Sequence, residues 1–225
     1  MGRTMTDAAA PEVSASGAPD ARRLPSRLRA DKHRAILRAA SAMFLAEGYE
    51  RVTLDQIAQR AGVSKQTIYS HFADKQALFR AICTQLTEKL TIPLRRPAGD
   101  VDLRSTLQRL GEDALAMMLT PPSLDLHRLV VSAAARFPDL GQAAYEAGAL
   151  RIIDELSALL LRRSHVGDGI ARPLDEVRAR VLAEQFVGML RGFHQHRALM
   201  SVEQTPPDRR TAYVRDCVDL LLRGA

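Results

Sequence analysis

Apolar residues recur at three- and four-residue intervals along most of the chain, and alternating strand-like runs are missing. Ile36, Ala40, Met43 and Phe44 share one helical face with arginines opposite, and Gly48 is placed to end that helix. Thr53 stands as an N-cap before Leu54, Ile57 and Ala58, with Gln56 positioned to complete a capping box. This second helix stops at Ala61-Gly62. Ser64 opens a third helix of about two turns, and Asp74 caps a fourth running from Lys75 toward Leu90, where Pro93 stops it. Longer amphipathic stretches follow at roughly 101–119, 124–136, 139–162, 174–199 and 207–222. Pro121-Pro122, Pro138, Gly167-Asp168-Gly169 with Pro173, and Pro206-Pro207 separate them. The pattern predicts an all-α chain of about nine helices. It divides into a leader at 1–29, a small helical domain at 30–92 and a larger one at 93–225.

Hydrophobic residues make up 46% and charged residues 26%, a balance that excludes disorder over most of the length. Met1 to Pro25 is the exception, an Ala-, Pro-, Ser- and Gly-rich stretch with little to bury. Two cysteines, Cys83 and Cys217, cannot form a disulfide scaffold and fit a reducing compartment. Charged residues interrupt every leucine-rich run before it is long enough to span a bilayer, so no membrane partner and a cytoplasmic location are expected. The net charge is +6, and its placement is informative. Residues 21–80 hold twelve Lys and Arg against five acids, while 81–225 is almost neutral. A localised basic field attracts polyanions, nucleic acid above all, although charge alone equally fits a solvated basic face.

The two short helices joined by Ala61-Gly62-Val63 form a helix-turn-helix pattern. In the third helix only Ile68 points inward, helped by Val63 before it and Phe72 after it. The remaining surface is polar, as a helix lying in a major groove requires. Lys65, Tyr69, His71 and Lys75 are candidates for phosphate contacts. Gln66, Thr67 and Ser70 are candidates for reading base edges, Gln66 above all because a carboxamide can bond adenine with two prongs. The preceding arm, Arg22-Arg23 and Arg27-Leu28-Arg29, could add phosphate or minor-groove contacts or simply be solvated.

Residues 32–82 resemble the DNA-binding domain of the TetR family of bacterial transcriptional regulators. The matching text is Ile36-Leu37-Arg38-Ala39-Ala40, Phe44, Gly48-Tyr49, Val52-Thr53-Leu54, Ile57-Ala58, Ala61-Gly62-Val63-Ser64, Thr67-Ile68-Tyr69, His71-Phe72, Asp74-Lys75 and Leu78-Phe79. The resemblance implies that Lys65, Thr67, Tyr69, His71 and Lys75 touch DNA, that Thr53 begins the supporting helix, and that Ser64 caps the reading helix. Many members have a small residue where Gln66 stands, which implies operator preferences of its own. It also implies a C-terminal domain that dimerises and binds a small effector, with a double-stranded operator, usually repressed, as the partner.

For dimerisation the apolar faces of the last two helices are the candidates: Val181, Phe186, Leu190 and Phe193, then Val214, Val218 and Leu221. For the effector, Met117, Met118, Leu126, Val130, Phe137, Tyr145 and Ile152 offer an aliphatic, adaptable lining suited to an apolar or amphipathic molecule. Arg136-Phe137-Pro138 resembles a motif found in part of the same family. No metal-site, phosphate-loop or nucleophile-elbow motif is present, and His194 and His196 lie too far apart around a helix to share an ion, so no cofactor and no enzyme activity are expected. An activator of the same fold and a non-specific nucleic-acid binder are the alternatives.

Overall fold

The computed structural model describes residues 26–95, 101–202 and 206–225, and every regular element among them is helical. A long α1 (Ser26–Glu47) leads, then the short α2 (Leu54–Ala61) and α3 (Lys65–His71), followed by α4 (Lys75–Thr91) and a 3₁₀ turn (Ile92–Arg95). Then come α5 (Leu103–Met118), α6 (Pro121–Ala134) and α7 (Pro138–Tyr145). A π-helical turn (Glu146–Leu150) carries α7 into α8 (Arg151–His165), and α9 (Glu176–Leu199) and α10 (Pro207–Gly224) complete the chain. No helix among the described residues is long and apolar enough to cross a membrane.

Capping explains the boundaries. The Thr53 side chain accepts from the Gln56 N–H while the Gln56 carboxamide accepts from the Thr53 N–H at 2.8 Å, the reciprocal pair expected from sequence. Ser64, Asp74, Asp102 and Asp175 accept in the same way from the first turns of α3, α4, α5 and α9. Gly62, at φ 68°, supplies the left-handed residue that turns α2 into α3.

The breaks at the prolines fall where expected, and the prolines themselves sit on the far side of each break. Pro121, Pro138 and Pro207 open the helices that follow, because the N–H they lack would be unpaired at a helix start anyway. Consequently α6 begins at Pro121 and not near residue 124. The α-helical stretch of α4 ends at Thr91, just before Pro93 as expected, and Pro93 lies within a 3₁₀ turn that follows it. Helix α1 already runs at Ser26, so Arg27, Leu28 and Arg29 form its exposed first turn rather than a leader. Arg22, Arg23 and the stretch before them lie outside the described residues. Finally, α9 breaks at Gly192, whose φ of 20° and ψ of −140° are not helical.

Two cores organise the packing. One is built on Phe44, Ile57, Ile68, Leu78 and Phe79, the other on Leu103, Leu107, Leu156, Phe186 and Val218. They do not part at residue 93. Leu140 of α7 and Ala147 of the π-helical turn are buried in the first core, and α4 contributes Ile82 to one and Leu90 to the other. Five of the residues assigned to a dimer face are interior. Phe186, Leu190, Val214, Val218 and Leu221 are at most 2% exposed and fill the second core. The reason is close interlocking of α5 with α10, where a Cβ on Gly111 would meet Val214 Cγ1 at 2.5 Å. Val181 and Phe193 do face outward, as do Val177 and Leu220.

Candidate nucleic-acid interface and ligand cavity

Helix α3 is held by a single completely buried residue, Ile68, with Phe72 sealing its C-terminal end. Around that anchor Lys65, Gln66, Tyr69 and Ser70 are exposed. The candidate base readers are not equally free. Thr67 is half-buried and its hydroxyl pairs with Ser64 Oγ at 2.9 Å, while Ser70 Oγ donates back to the Thr67 carbonyl. Gln66 stands outward on the exposed face, and Tyr69, 54% exposed, projects beside it.

Lys75 departs from its assignment as a phosphate contact. Its amine donates to the carbonyls of Tyr49 (2.8 Å), Val52 (3.0 Å) and Glu50 (3.2 Å) and lies over the Tyr49 ring. It therefore holds the α1–α2 turn onto the start of α4, and partial burial pushes its pKa down. Lys65 keeps an exposed amine but shares it with Asp55 on α2. His71 packs against His33 and Phe72, and burial followed by the His33 charge lowers its pKa, which favours the neutral ring. The cationic surface beside α3 consequently comes from Lys65, shared with Asp55, and from Arg29 and Lys32 of α1, whose charges reach His71, rather than from Lys75 or His71.

A cavity of about 260 Å³ lies between α4, α5, α6, α7, the π-helical turn and α9. Met117, Met118, Leu126, Val130 and Tyr145, candidates for an effector lining, border it. A smaller recess of about 90 Å³ adjoins it through the shared Met117, Met118 and Arg191, and Ile152 lines this recess. Phe137 belongs to neither; its ring sits 5.9 Å from that of Tyr49 in the first core. Sequence reasoning missed the polar lining, which is Ser123, His127, Arg191 and Gln195. Arg191 follows Leu190 and stands four residues after Val187, so a charge in the apolar register of α9 was the available signal.

Two links join cavity to head. Helix α4 lines the cavity with Cys83, Leu86 and Thr87, and Thr87 Oγ1 donates to the Ala147 carbonyl at 2.8 Å. The α6–α7 corner docks on the α1–α2 turn through Arg136 to Glu50 at 2.7 Å and Phe137 against Tyr49. Nearby, Gln76 donates to the Asp139 carbonyl and Arg80 pairs with Glu146. Cys83 is buried, and burial pushes its thiol up to about 12, so it packs as an inert group. Among the described residues no cluster of His, Cys, Asp or Glu could hold a metal ion.

Comparison with known proteins gives matches over both parts of the chain. Residues 36–82 match the model for bacterial regulatory proteins of the tetR family, and residues 105–224 match that for the AefR-like transcriptional repressor C-terminal domain. The HTH-type transcriptional activator FasR of Mycolicibacterium smegmatis is 39% identical over 72 residues, 32% of this chain and 33% of FasR. The chain thus matches about a third of that relative's length. Over 165 residues it is 26% identical to the HTH-type transcriptional regulator YhgD of Bacillus subtilis, covering 71% of this chain and 83% of that protein. A solved TetR family transcriptional regulator from Pseudomonas syringae superposes with a TM-score of 0.60 at 28% identity, covering 86% of this chain and 96% of that one.

Proposed function

The chain belongs to the TetR family of bacterial regulatory proteins, and on that premise we propose that it is a sequence-specific, cytoplasmic, ligand-responsive transcriptional regulator. The observation that carries this reading is α3, a helix capped by Ser64, anchored by buried Ile68 with Phe72 at its end, and polar over most of the rest of its surface. Gln66 and Tyr69 are its leading DNA contacts, with Lys65, Arg29 and Lys32 on phosphates; Thr53 and Ser64 set the angles of α2 and α3. Ser70 and Thr67 contribute through hydroxyls already oriented by α3 itself.

The protein acts as a homodimer, its outward α9 residues Val181 and Phe193 supplying apolar surface for the second copy. Two-fold symmetry then calls for a palindromic operator. An effector in the cavity moves α4, which carries residues of both cores, and so changes the spacing of the two reading helices. Only preferential binding to the DNA-incompetent form produces release. Repression is the favoured mode. Activation is the second reading, supported by the 39% identity to the activator FasR over the matched segment.

Selection of bound DNA from a random pool tests the proposal. A two-fold symmetric site that survives competition by excess random duplex is the expected outcome. Binding that disappears under such competition would leave only a charge-driven binder. A promoter fusion carrying the selected site then distinguishes repression from activation.

A further inference from the structure

The cavity is apolar over most of its wall yet contains one charge with no counterpart. Arg191 is half-buried, and burial alone acts on its guanidinium, pushing its pKa down; no carboxylate opposes that effect. The lining includes no Asp or Glu. Three acids on the surrounding elements are committed elsewhere: Asp125 to Arg128, Glu146 to Arg80, and Asp154 to Arg180. A cation drawn out of water without an anion is costly, so its retention points to an anion that arrives from outside.

Three neutral hydrogen-bonding groups surround the same cavity. Ser123 and His127 are four residues apart on α6, hence on one face, and Gln195 comes from α9 beyond the break at Gly192. We propose that the effector is a small amphipathic carboxylate whose head pairs with Arg191 and is flanked by Ser123, His127 and Gln195. This rests on the reading of the cavity as the effector site and adds the chemistry of the ligand.

Charge and size narrow the class. Burial and the neighbouring Arg191 both lower the His127 pKa, so its ring is neutral at pH 7 and the cavity offers a single positive charge. That matches a monoanion and leaves a phosphate dianion under-compensated. At roughly 30 Å³ per water-sized group, a 260 Å³ cavity holds about nine such groups, the size of an eight-carbon acid. The thioethers of Met117 and Met118 border both the cavity and the recess, where the tail would lodge.

Octanoate, octanamide and octylamine, matched in length and different in charge, test the proposal by calorimetry and thermal shift on the full chain at pH 7.5. The expected result is octanoate binding about tenfold or more tighter than octanamide, with octylamine weakest. Arg191→Met brings octanoate affinity down to that of octanamide and raises the Tm of the ligand-free protein, since a half-buried lone charge is gone. Should that variant fail to fold, Arg191→Gln and the wild-type acid-to-amide ratio carry the same information. Gly148→Leu, at a helical glycine whose added Cβ meets nothing within 4 Å, fills the cavity and abolishes binding of all three.

Equal affinity for acid and amide, absence of octanoate binding, an unaffected Arg191→Met, or binding that survives Gly148→Leu each overturns the assignment. Binding to the selected operator is scored separately. Carboxylate failure with operator binding intact removes only this inference. Failure of operator selection removes the regulator reading while the calorimetry still reports on the cavity.

Discussion

Individual side chains here divide between those that meet a partner and those that merely look placed to do so. Lys75 is the clearest case. Lys75→Met leaves the carbonyls of Tyr49, Glu50 and Val52 without their charged donor and lowers stability by about 1–3 kcal/mol, measured by urea titration. The slope of DNA affinity against salt stays as in the wild type. Lys65→Ala gives the reverse pattern, an unchanged urea midpoint and a salt slope reduced by about 1. Histidines set the response to acid. Burial is the leading cause that lowers the pKa of His33, His71, His127 and His194 below the ordinary 6.5. The unfolded chain therefore takes up protons that the folded chain resists. Stability is complete above about pH 6.5 and declines as pH falls through the lowered values, a loss that a comparison of urea midpoints at pH 7.5 and 5.5 detects. His71→Gln makes that decline shallower.

At the scale of helices, the sequence was legible wherever short-range chemistry decides. The Thr53–Gln56 box, the Ser64 and Asp74 caps and the left-handed Gly62 set the boundaries of α2, α3 and the start of α4 through contacts a few residues apart. What periodicity could not report is which neighbour covers an apolar stripe. The stripe of Val214, Val218 and Leu221 suits a second copy as well as it suits α5, and only the close approach at Gly111 decides in favour of α5. Gly111→Ala tests this, with an expected loss of about 1–3 kcal/mol from pushing α10 outward, read as a fall in Tm. Arg191 was overlooked because a charge on a helix reads as solvent-facing unless its register is checked against Val187 and Leu190. The contact of Thr87 with Ala147 belongs to this scale as well. Thr87→Val cuts that contact and weakens the effector's power to release DNA, read as a smaller ratio of effector affinities without and with operator in paired titrations.

The whole molecule couples its ends through shared packing rather than through a flexible linker. Helix α4 is common to both cores, and the α6–α7 corner is clamped to the α1–α2 turn by Arg136 and Glu50. The division near residue 93 was drawn from a change in sequence texture, which registers helix length and composition but not the return of residues 140 and 147 to the first core. On this scale the proposed homodimer makes its own prediction. Val181→Glu combined with Phe193→Glu yields monomers in sedimentation velocity and a large loss of operator affinity, while the far-UV spectrum is unchanged.

Leu140 and Ala147 also bear on how such regulators can be recombined. A head excised at residue 92 would present to water the hydrophobic seat those two side chains occupy, so it would be prone to clumping and poor at docking on DNA. Biosensor chimeras that graft this head onto a foreign sensing body therefore need to carry the segment from Pro121 through Leu150 along with it, or to match its shape. The heritable module is the head together with its borrowed wedge.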